Sequence, residues 1–424
     1  MQLARIFRQP ASRRPKAVAV GALLGPFVLA SALSALTVPP ARAQSEVSAT
    51  ATVFRESGGP LEMTVINPSV QALADISDPV TLNAGWEADV VTGASVAVVD
   101  APTGAGDVDA ITSATTLDDL RQVVQGGITL RSDLAQITAN YAYGFESDYR
   151  SHSVTLGAAA ELFDRNTTLQ LTYSRGFDKV CDLLQPQAEK AVERQRMPTS
   201  DGCFEHGKGR MRRPLDLHSL QGSWTQNWAP IFNTQLVTSV QLLHGFQSNP
   251  YRAVWLGRAA VQEHHPDDRA RYALGVGARL WLRPLGGALQ LFGRAYRDTW
   301  DVRAISAELA FERTLGQYLR LRAQGRYFRQ ASAAFFSDDY ALNPKGEYFT
   351  GDRELSAMSS WLMGGRLEIR PSGDGDASLG FLEALRIVLK GDFLMFDFSE
   401  FHYGHAEVPN KQAILGTLGV DATF

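Results

Sequence analysis

The feature that most limits the fold of this chain is an alternation of apolar and polar residues that repeats along most of its length. Between Leu319 and Tyr327 every second residue is apolar or small, and those between are arginine or glutamine. Side chains of a β-strand point alternately to its two faces, whereas residues i and i+2 diverge on a helix. Similar runs occupy residues 272–283, 305–312 and 361–370. The pattern predicts an all-β protein whose strands have one apolar and one charged face.

The length of these runs indicates what the apolar faces contact. Strands of soluble sandwiches are usually about five or six residues long, whereas a tilted strand of about ten residues crosses a bilayer. Short turns such as 164–166 alternate with long polar segments such as 181–214 and 331–358. We therefore predict a transmembrane antiparallel up-and-down β-barrel of about 14 strands, within a range of about 12 to 16. Its short turns would be periplasmic and its long loops would lie outside.

Both ends of the chain are typical of a protein exported to the outer membrane of a Gram-negative bacterium. A basic start is followed by an apolar run, residues 17–36, and by the small-x-small sequence Ala41-Arg42-Ala43. This order is that of a secretory signal peptide, so we predict cleavage near Ala43 rather than a membrane anchor. No later apolar run reaches the roughly 18 residues that a transmembrane helix needs. The last strand ends on Phe424, which resembles the closing strand that the outer-membrane assembly machinery recognises.

These signals divide the chain into three parts. We assign residues 1–43 to the signal peptide, residues 44–78 to a periplasmic N-terminal extension with little periodicity, and residues 79–424 to the outer-membrane β-barrel. The net charge of −4 argues neither for nor against nucleic acid, which an exported protein rarely meets. The expected partners are outer-membrane lipid, lipopolysaccharide and the assembly machinery, and no nucleic acid.

Two cysteines, Cys181 and Cys203, are present. Thiols of an exported protein enter an oxidising compartment, so we predict that these two form a disulfide. Closing a loop of this size stabilises a folded state by about 3 kcal/mol. The alternative is that Cys203 and His206 supply two of the ligands of a metal site. Because no second pair of ligands lies nearby, we predict no metal site.

The charged strand faces predict a basic barrel interior. In the predicted register the inward residues include Arg279, Arg294, Arg320, Arg322, Arg326 and Arg366. Arginines that line a pore favour anionic solutes. The same faces carry Glu308, Glu312 and Glu368, which leaves a second interpretation open. A salt-bridged, water-filled interior that stiffens the wall is the more usual case, because polar interiors are the rule in such barrels.

Two short motifs near the start of the predicted barrel resemble a covalent cofactor site. Residues 89–95 and 109–115 both fit the pattern Asp-x-x-Ser/Thr-Gly/Ser-Ala-Ser/Thr. This pattern resembles the acceptor site at which an exported FMN transferase attaches FMN through a phosphoester. The resemblance implies Ser95 and Thr115 as acceptor hydroxyls, FMN as the cofactor and an FMN transferase as a partner. The alternative is a pair of strand ends rich in small residues, for which no cofactor is expected.

Several polar segments together resemble one bacterial family. They are Glu146–His152, Phe246–Arg252, Tyr296–Trp300, Tyr327–Gln330 and Gly351–Ser356. In this order they resemble the bacterial domain-of-unknown-function family 3570, whose members look like outer-membrane barrels. The resemblance runs from about Glu87 to the C-terminus. It implies the fold and the location, and it supplies no catalytic residue.

The absence of familiar catalytic motifs from the sequence also bears on its function. It contains no G-x-S-x-G, no Walker loop and no H-E-x-x-H, so we predict that the protein is not an enzyme. We favour a porin-like pore, a transport barrel or a structural barrel of unknown substrate. The alternative is a barrel that carries covalently attached FMN, or is linked to a flavin redox system, for electron transfer at the cell envelope.

Overall fold

A computed structural model gives the structure of most of the chain. It describes residues 45–57, 63–96, 114–116, 119–197, 203–204, 208–257, 259–338, 340, 346–371, 382–398, 401–403, 406–407 and 411–424. The predicted signal peptide, residues 1–43, lies outside these ranges. Within them, every helix is too short or too polar to cross a membrane.

Sixteen antiparallel strands form one closed barrel, which confirms the predicted fold class. Each strand pairs with the strand before it and the strand after it, and the first also pairs with the last. In chain order, β1 to β16 are Ser45–Ser57, Met63–Ser77, Val80–Val96, Asp119–Arg131, Ala135–Phe145, Tyr149–Leu162, Thr167–Leu183, Arg210–Ala229, Phe232–Gly245, Asp268–Leu282, Gly287–Asp298, Arg303–Leu315, Leu319–Gln330, Met358–Ile369, Ala384–Asp397 and Lys411–Thr423.

The short elements lie in the connections between barrel strands. The strand Ala114–Thr116 pairs with the end of β3, and Ala253–Trp255 pairs with Ala260–Gln262. A further two-residue pair joins His402–Tyr403 to Ala406–Glu407. Three 3₁₀ turns span Ala191–Glu193, Arg283–Leu285 and Arg353–Leu355.

The seam between β1 and β16 closes the ring. Their register runs from Glu46 opposite Thr423 to Ser57 opposite Gln412. Side chains reinforce it, because the Ser48 hydroxyl donates to Asp421 Oδ1 at 2.6 Å. A closed barrel has no unpaired edge. A bilayer requires such closure, because hydrocarbon offers no hydrogen-bond partner for a backbone N–H or C=O.

The strand count of sixteen exceeds the predicted value of about fourteen, and the first two strands account for the difference. We predicted that residues 44–78 form a periplasmic extension. That assignment was wrong, because Ser45–Ser57 and Met63–Ser77 are β1 and β2 of the wall. The outward face of β1 includes the small residues Ala49 and Ala51, so its alternation is weak. Pairing with β2 and β16, rather than hydrophobicity of its own, holds β1 in place.

The two faces of the wall differ as the alternation requires. Large apolar side chains are exposed on the outside, such as Val276 at 56% and Ile305 at 59% of full exposure. The inner face carries hydrogen bonds that bridge strands which are not neighbours. Gln324 of β13 donates to Asp392 Oδ1 of β15 at 2.8 Å, across β14. A Cβ at Gly364 of β14 would lie 1.9 Å from that oxygen, so only glycine fits beneath the contact.

The two ends of the barrel also differ. One end, the turn rim, holds the connections 78–79, 132–134, 163–166, 230–231, 283–286 and 316–318, and the described residues 370–371 and 382–383 between β14 and β15. Ser45 and Phe424 meet there, with the Phe424 N–H donating to the Ser45 carbonyl at 2.9 Å. The other end, the loop rim, is where the odd-numbered strands end and the even-numbered strands begin. Its described connecting residues include 146–148, 184–197, 246–257, 259–267, 299–302, 331–338 and 346–357.

Buried apolar clusters of the described residues lie at the loop rim. One contains Trp300, Val302, Ala333, Phe336, Leu355 and Phe401. A second contains Val254, Leu256, Val261, Tyr340 and Phe349. The barrel therefore has its packed protein core in its loops, while its wall turns apolar side chains outward.

Deleting residues 45–77 should abolish barrel assembly, because it removes β1 and β2 and leaves β3 and β16 as open edges. The test is heat-modifiable mobility of the refolded protein in gel electrophoresis, which a closed barrel shows. We expect the deletion variant to migrate identically with and without heating. A variant that lacks only residues 372–380, which lie between β14 and β15 in the sequence, is the control and should keep the shift. A heat-modifiable deletion variant would contradict the assignment of these strands to the wall.

Candidate functional site

A row of charged side chains crosses the inner wall near the turn rim. The register places Glu312 of β12, Arg322 of β13, Arg366 of β14 and Lys390 of β15 side by side. Glu312 gathers three of the predicted inward arginines. Its carboxylate lies 3.8 Å from Arg279, 3.9 Å from Arg320 and 3.5 Å from Arg366.

Other carboxylates complete this network. Arg322 binds Glu308 at 3.0 Å, and Arg366 also approaches Glu368 at 3.4 Å. Lys390 binds Asp392 at 2.8 Å. The charged side chains of this network come from β10 and from β12 to β15, so it braces the wall as the salt-bridge interpretation expects.

Two of the predicted inward arginines, Arg294 and Arg326, are placed differently. Neither has a carboxylate within 4.0 Å among the described residues. In the register Arg326 faces Glu308, but that carboxylate turns to Arg322 instead. Both line a cavity of about 410 Å³ on the loop-rim side of the charged row. Its other lining side chains are mainly aromatic, apolar or hydroxylated and include Tyr296, Ser306, Phe328, Ser360, Leu394 and Phe396. The cavity thus combines two cations with apolar walls.

The described residues of three loop segments, 184–197, 246–267 and 331–357, form a cap at the loop rim. Backbone hydrogen bonds join them, with the N–H of Phe349 donating to His264 O at 2.9 Å. The N–H of Gln262 donates to Arg194 O at 2.9 Å, and that of Met197 donates to Pro250 O at 2.7 Å. The loop cap is therefore one packed layer rather than separate loops.

A buried ion cluster lies at the centre of the loop cap. Arg252 binds Asp352 at 2.5 Å and approaches Glu263 at 3.6 Å. Glu263 also accepts from the Asn249 N–H at 2.7 Å and from the Thr350 hydroxyl at 2.8 Å. Every polar atom of the carboxylate thus has a partner, as burial of a charge requires.

Electrostatics fix the charge states of this cluster. Burial by itself would raise the pKa of Glu263, but the charges of His265 and Arg252 and the hydrogen bonds lower it to about 2. Burial likewise opposes the charged form of Arg252, but Glu263 and Asp352 raise its pKa above the ordinary value. Both groups are charged throughout the physiological pH range.

The loop cap reaches across the mouth of the barrel. Arg353, between β13 and β14, binds Glu56 of β1 at 2.7 Å, and Lys411 of β16 binds the same carboxylate at 2.7 Å. At the far side, Asp182 of β7 binds Arg194 at 2.5 Å and accepts from Gln262 at 3.0 Å. Contacts between polar side chains therefore extend from β7 to β1, above the lumen.

No local sequence pattern predicts this cluster or the Glu56–Arg353 contact. Thr350 and Glu263 of the cluster are 87 residues apart along the chain, and Glu56 and Arg353 are 297 residues apart. A signal was nevertheless present in the polar segments Phe246–Arg252 and Gly351–Ser356, which resembled a family. The structure brings these two segments together through Arg252 and Asp352.

The structure joins Cys181 and Cys203 in a disulfide, with their Cα atoms 5.3 Å apart. The half-cystines and Met197 form a buried cluster that Phe204 contacts. The N–H of Phe204 donates to Ser147 O at 3.3 Å. The disulfide therefore ties the 184–209 connection to the end of β7 and to the neighbouring connection 146–148.

The two FMN acceptor candidates are neighbours on paired strands. Ser95, near the end of β3, lies directly opposite Thr115 in the register. The pair lies at the loop-rim end of β3. Residues 109–113 of the second motif lie outside the described residues. The strand pairing thus brings together two residues that are 20 positions apart in sequence.

A family model matches residues 16–381. The chain belongs to the family described as Protein of unknown function (DUF3570). This confirms the family that the polar segments resembled. No curated protein matches the chain.

The solved structures that align with this chain include outer-membrane proteins. A bacterial polysaccharide outer membrane secretin aligns with a TM-score of 0.49 and 8% identity, over 90% of this DUF3570 chain and 98% of that chain. OprD from Pseudomonas aeruginosa aligns with a TM-score of 0.43 and 7% identity, over 90% and 96%. The siderophore receptor PirA from Pseudomonas aeruginosa has a TM-score of 0.41 and 13% identity, over 90% and 62%. At these identities the likeness concerns the fold alone.

Acidification should loosen the loop cap of this DUF3570 member only below the ordinary glutamate pKa of 4.5. Because the pKa of Glu263 is depressed, the stability that it contributes is complete above pH 4.5. It is lost progressively as the pH falls towards about 2. Hydrogen exchange of segment 246–267, corrected for the intrinsic rate, would measure this. We expect equal protection at about pH 7 and pH 5 and weaker protection at about pH 3.

Glu263→Gln is the control for that titration, because a neutral amide cannot titrate. Its cap should be less protected at pH 7 and should change less between pH 5 and pH 3. Unchanged protection of the parent protein at about pH 3, or loss of protection already between pH 7 and pH 5, would contradict the assignment.

Proposed function

We propose that this barrel spans the outer membrane and carries small anionic solutes, with Arg294 and Arg326 as their binding groups. The proposal assigns no reaction to the barrel. The single observation that carries it is the lumen cavity in which these two arginines have no carboxylate partner within 4.0 Å among the described residues, while the other predicted inward arginines do.

Charge and shape support an anionic ligand for this cavity. An arginine binds carboxylate or phosphate through a planar, bidentate pair of N–H groups. A guanidinium with no internal partner remains available for that contact. Phe328 and Phe396 line the same cavity and would contact the apolar part of a ligand. An anion with an aromatic or aliphatic body therefore fits better than a bare inorganic ion.

The loop cap acts as a gate in this proposal. Its ion cluster, centred on Arg252 and Glu263, lies above the lumen and is held by contacts on both sides of the mouth. A solute that enters from the loop rim must pass beside the cap or displace it. The large number of buried charge-assisted hydrogen bonds favours a narrow and slow path over a wide, permanently open one.

Replacing Arg294 and Arg326 together with glutamine should weaken anion selectivity. Purified protein in planar bilayers, under a salt gradient, would give single-channel conductance and the reversal potential. We expect anion preference for the parent protein and a reversal potential closer to zero for the double variant. The wall should still assemble, because neither residue belongs to the ion network.

Arg313→Gln is the matched control. Arg313 has the same charge but shares the outward side of β12 with Ile305 and Leu309, so selectivity should not change. A parent protein that inserts stably and never conducts would favour the structural barrel. Cation preference in the parent protein would contradict the proposal.

We infer a second candidate function, electron transfer by a covalently attached FMN, from the register of Ser95 and Thr115. The pairing puts both acceptor candidates at one site on the loop-rim end of β3. One transferase could then act on both residues, because they are opposite each other in the register. Because an FMN transferase acts in the periplasm, modification would have to precede insertion of the barrel.

In-gel flavin fluorescence tests this second candidate. Protein expressed in a host with an active FMN transferase should give a fluorescent band, and Ser95→Ala with Thr115→Ala should remove it. Ser153→Ala, an alanine replacement elsewhere in the wall, is the control and should leave the fluorescence unchanged. Absence of a band for the parent protein would end the flavin hypothesis without affecting the channel proposal.

A further inference from the structure

Three arginines cluster on the outside of the barrel, at the loop-rim ends of three neighbouring strands. They are Arg297 of β11, Arg303 of β12 and Arg329 of β13, and all are exposed. The alternation places each on the outward side of its strand. Arg297 shares its side with Leu291, which is 53% exposed, and Arg303 shares its side with Ile305.

The strand register holds these charges close together. Arg297 lies directly opposite Arg303, and residues in that relation have Cβ atoms about 5 Å apart. Arg329 faces Ile305, so it is the diagonal neighbour of Arg303, at about 7 to 8 Å. Like charges directly opposite each other destabilise a sheet. None of the three has a carboxylate within 4.0 Å in the part of the chain that the structure describes.

The backbone positions of the pair are fixed, because side-chain and backbone hydrogen bonds hold the hairpin that carries it. Asp298 accepts from the backbone N–H groups of Trp300 at 2.9 Å and Val302 at 3.0 Å. Arg269 of the neighbouring strand β10 donates to Asp298 at 2.9 Å. The tip between β11 and β12 is thus rigid, and Arg297 and Arg303 are fixed as neighbours. An external anion would remove the repulsion.

The depth of the cluster in the bilayer indicates which anion this is. On the turn-rim side, the outer wall beside it is apolar and includes Ile305, Leu309 and Met363. Tyr272 and Tyr327 lie at the boundary, where aromatic residues mark the level of the lipid headgroups. The arginines therefore lie at headgroup level, directly beyond the hydrocarbon.

A groove of about 700 Å³ accompanies the cluster. Its lining includes the three arginines, Tyr327, Ser359 and Asp397. Asp397 carries the opposite charge, and it lies two strands from Arg329 at the same level, because Ser359 faces both. A phosphate would be repelled from that edge. The favourable position for an anion is consequently between Arg297 and Arg303.

We propose that Arg297, Arg303 and Arg329 bind a phosphate group on the headgroup of an outer-leaflet glycolipid. Guanidinium groups match phosphate in charge and in bidentate geometry. The acyl chains of the same lipid would lie along the apolar wall below, beside Ile305 and Tyr327. This wall is why the ligand is a lipid rather than a soluble phosphate. The site faces away from the lumen, so it is independent of the anion path.

Binding of diphosphoryl lipid A to the detergent-solubilised, full-length mature barrel tests the proposal. Native mass spectrometry would give the affinity for this probe and for its dephosphorylated form. We expect the parent protein to prefer the phosphorylated form by about tenfold or more, as one or more charge-assisted hydrogen bonds would produce. The triple variant Arg297→Gln, Arg303→Gln, Arg329→Gln should lose that preference.

Arg313→Gln is again the matched control, because it removes an outward arginine of β12 at the turn rim. It should keep the preference. The single variant Arg303→Gln removes only the central charge, and it serves if the triple variant does not give a heat-modifiable barrel. Equal affinity for both lipid forms in the parent protein, or an unchanged preference in the variants, would overturn the proposal. Displacement of the lipid by an equal concentration of inorganic phosphate would also overturn it, because the site would then bind soluble anions.

Discussion

Closure of the backbone ladder between the first and last strands is the constraint on which the rest of this structure depends. In hydrocarbon each unpaired backbone N–H or C=O costs several kcal/mol, so a sheet with two free edges could not stay there. The register between β1 and β16 removes those edges. The closed ring separates an outer face with apolar side chains from a polar interior. It also gives the barrel two rims that differ from each other.

The alternation of the sequence was sufficient to predict the barrel because burial has a simple form in this fold. Each strand has lipid on one side and water on the other, so apolar and polar residues must alternate along it. This holds for β10 to β14, where the predicted and observed faces agree. It fails for β1, whose outward residues include Ala49 and Ala51 and whose inward residues include Ser48 and Thr50. Small residues give little difference in hydrophobicity between the two faces of a strand. The position of such a strand is therefore determined by pairing with its neighbouring strands.

The candidate sites were less predictable for a different reason. The sequence placed the arginines on the correct strands but did not indicate which carboxylate each would bind. Glu312 and Glu308 satisfy four of the arginines, and only the three-dimensional arrangement separates these from Arg294 and Arg326. The ion cluster of the loop cap depends on contacts between distant loops, such as Arg252 with Asp352. Strand periodicity carries no information about such contacts.

Glu56 has a position that affects the order in which the molecule can assemble. Its carboxylate belongs to the first strand and is shared by Lys411 of the last strand and Arg353 of the third cap segment. These three groups meet only after the C-terminal strand has joined the N-terminal one. Until then Glu56 lacks one of its two cationic partners. The carboxylate that anchors the third cap segment to β1 is therefore also one of the groups that join the two ends of the barrel.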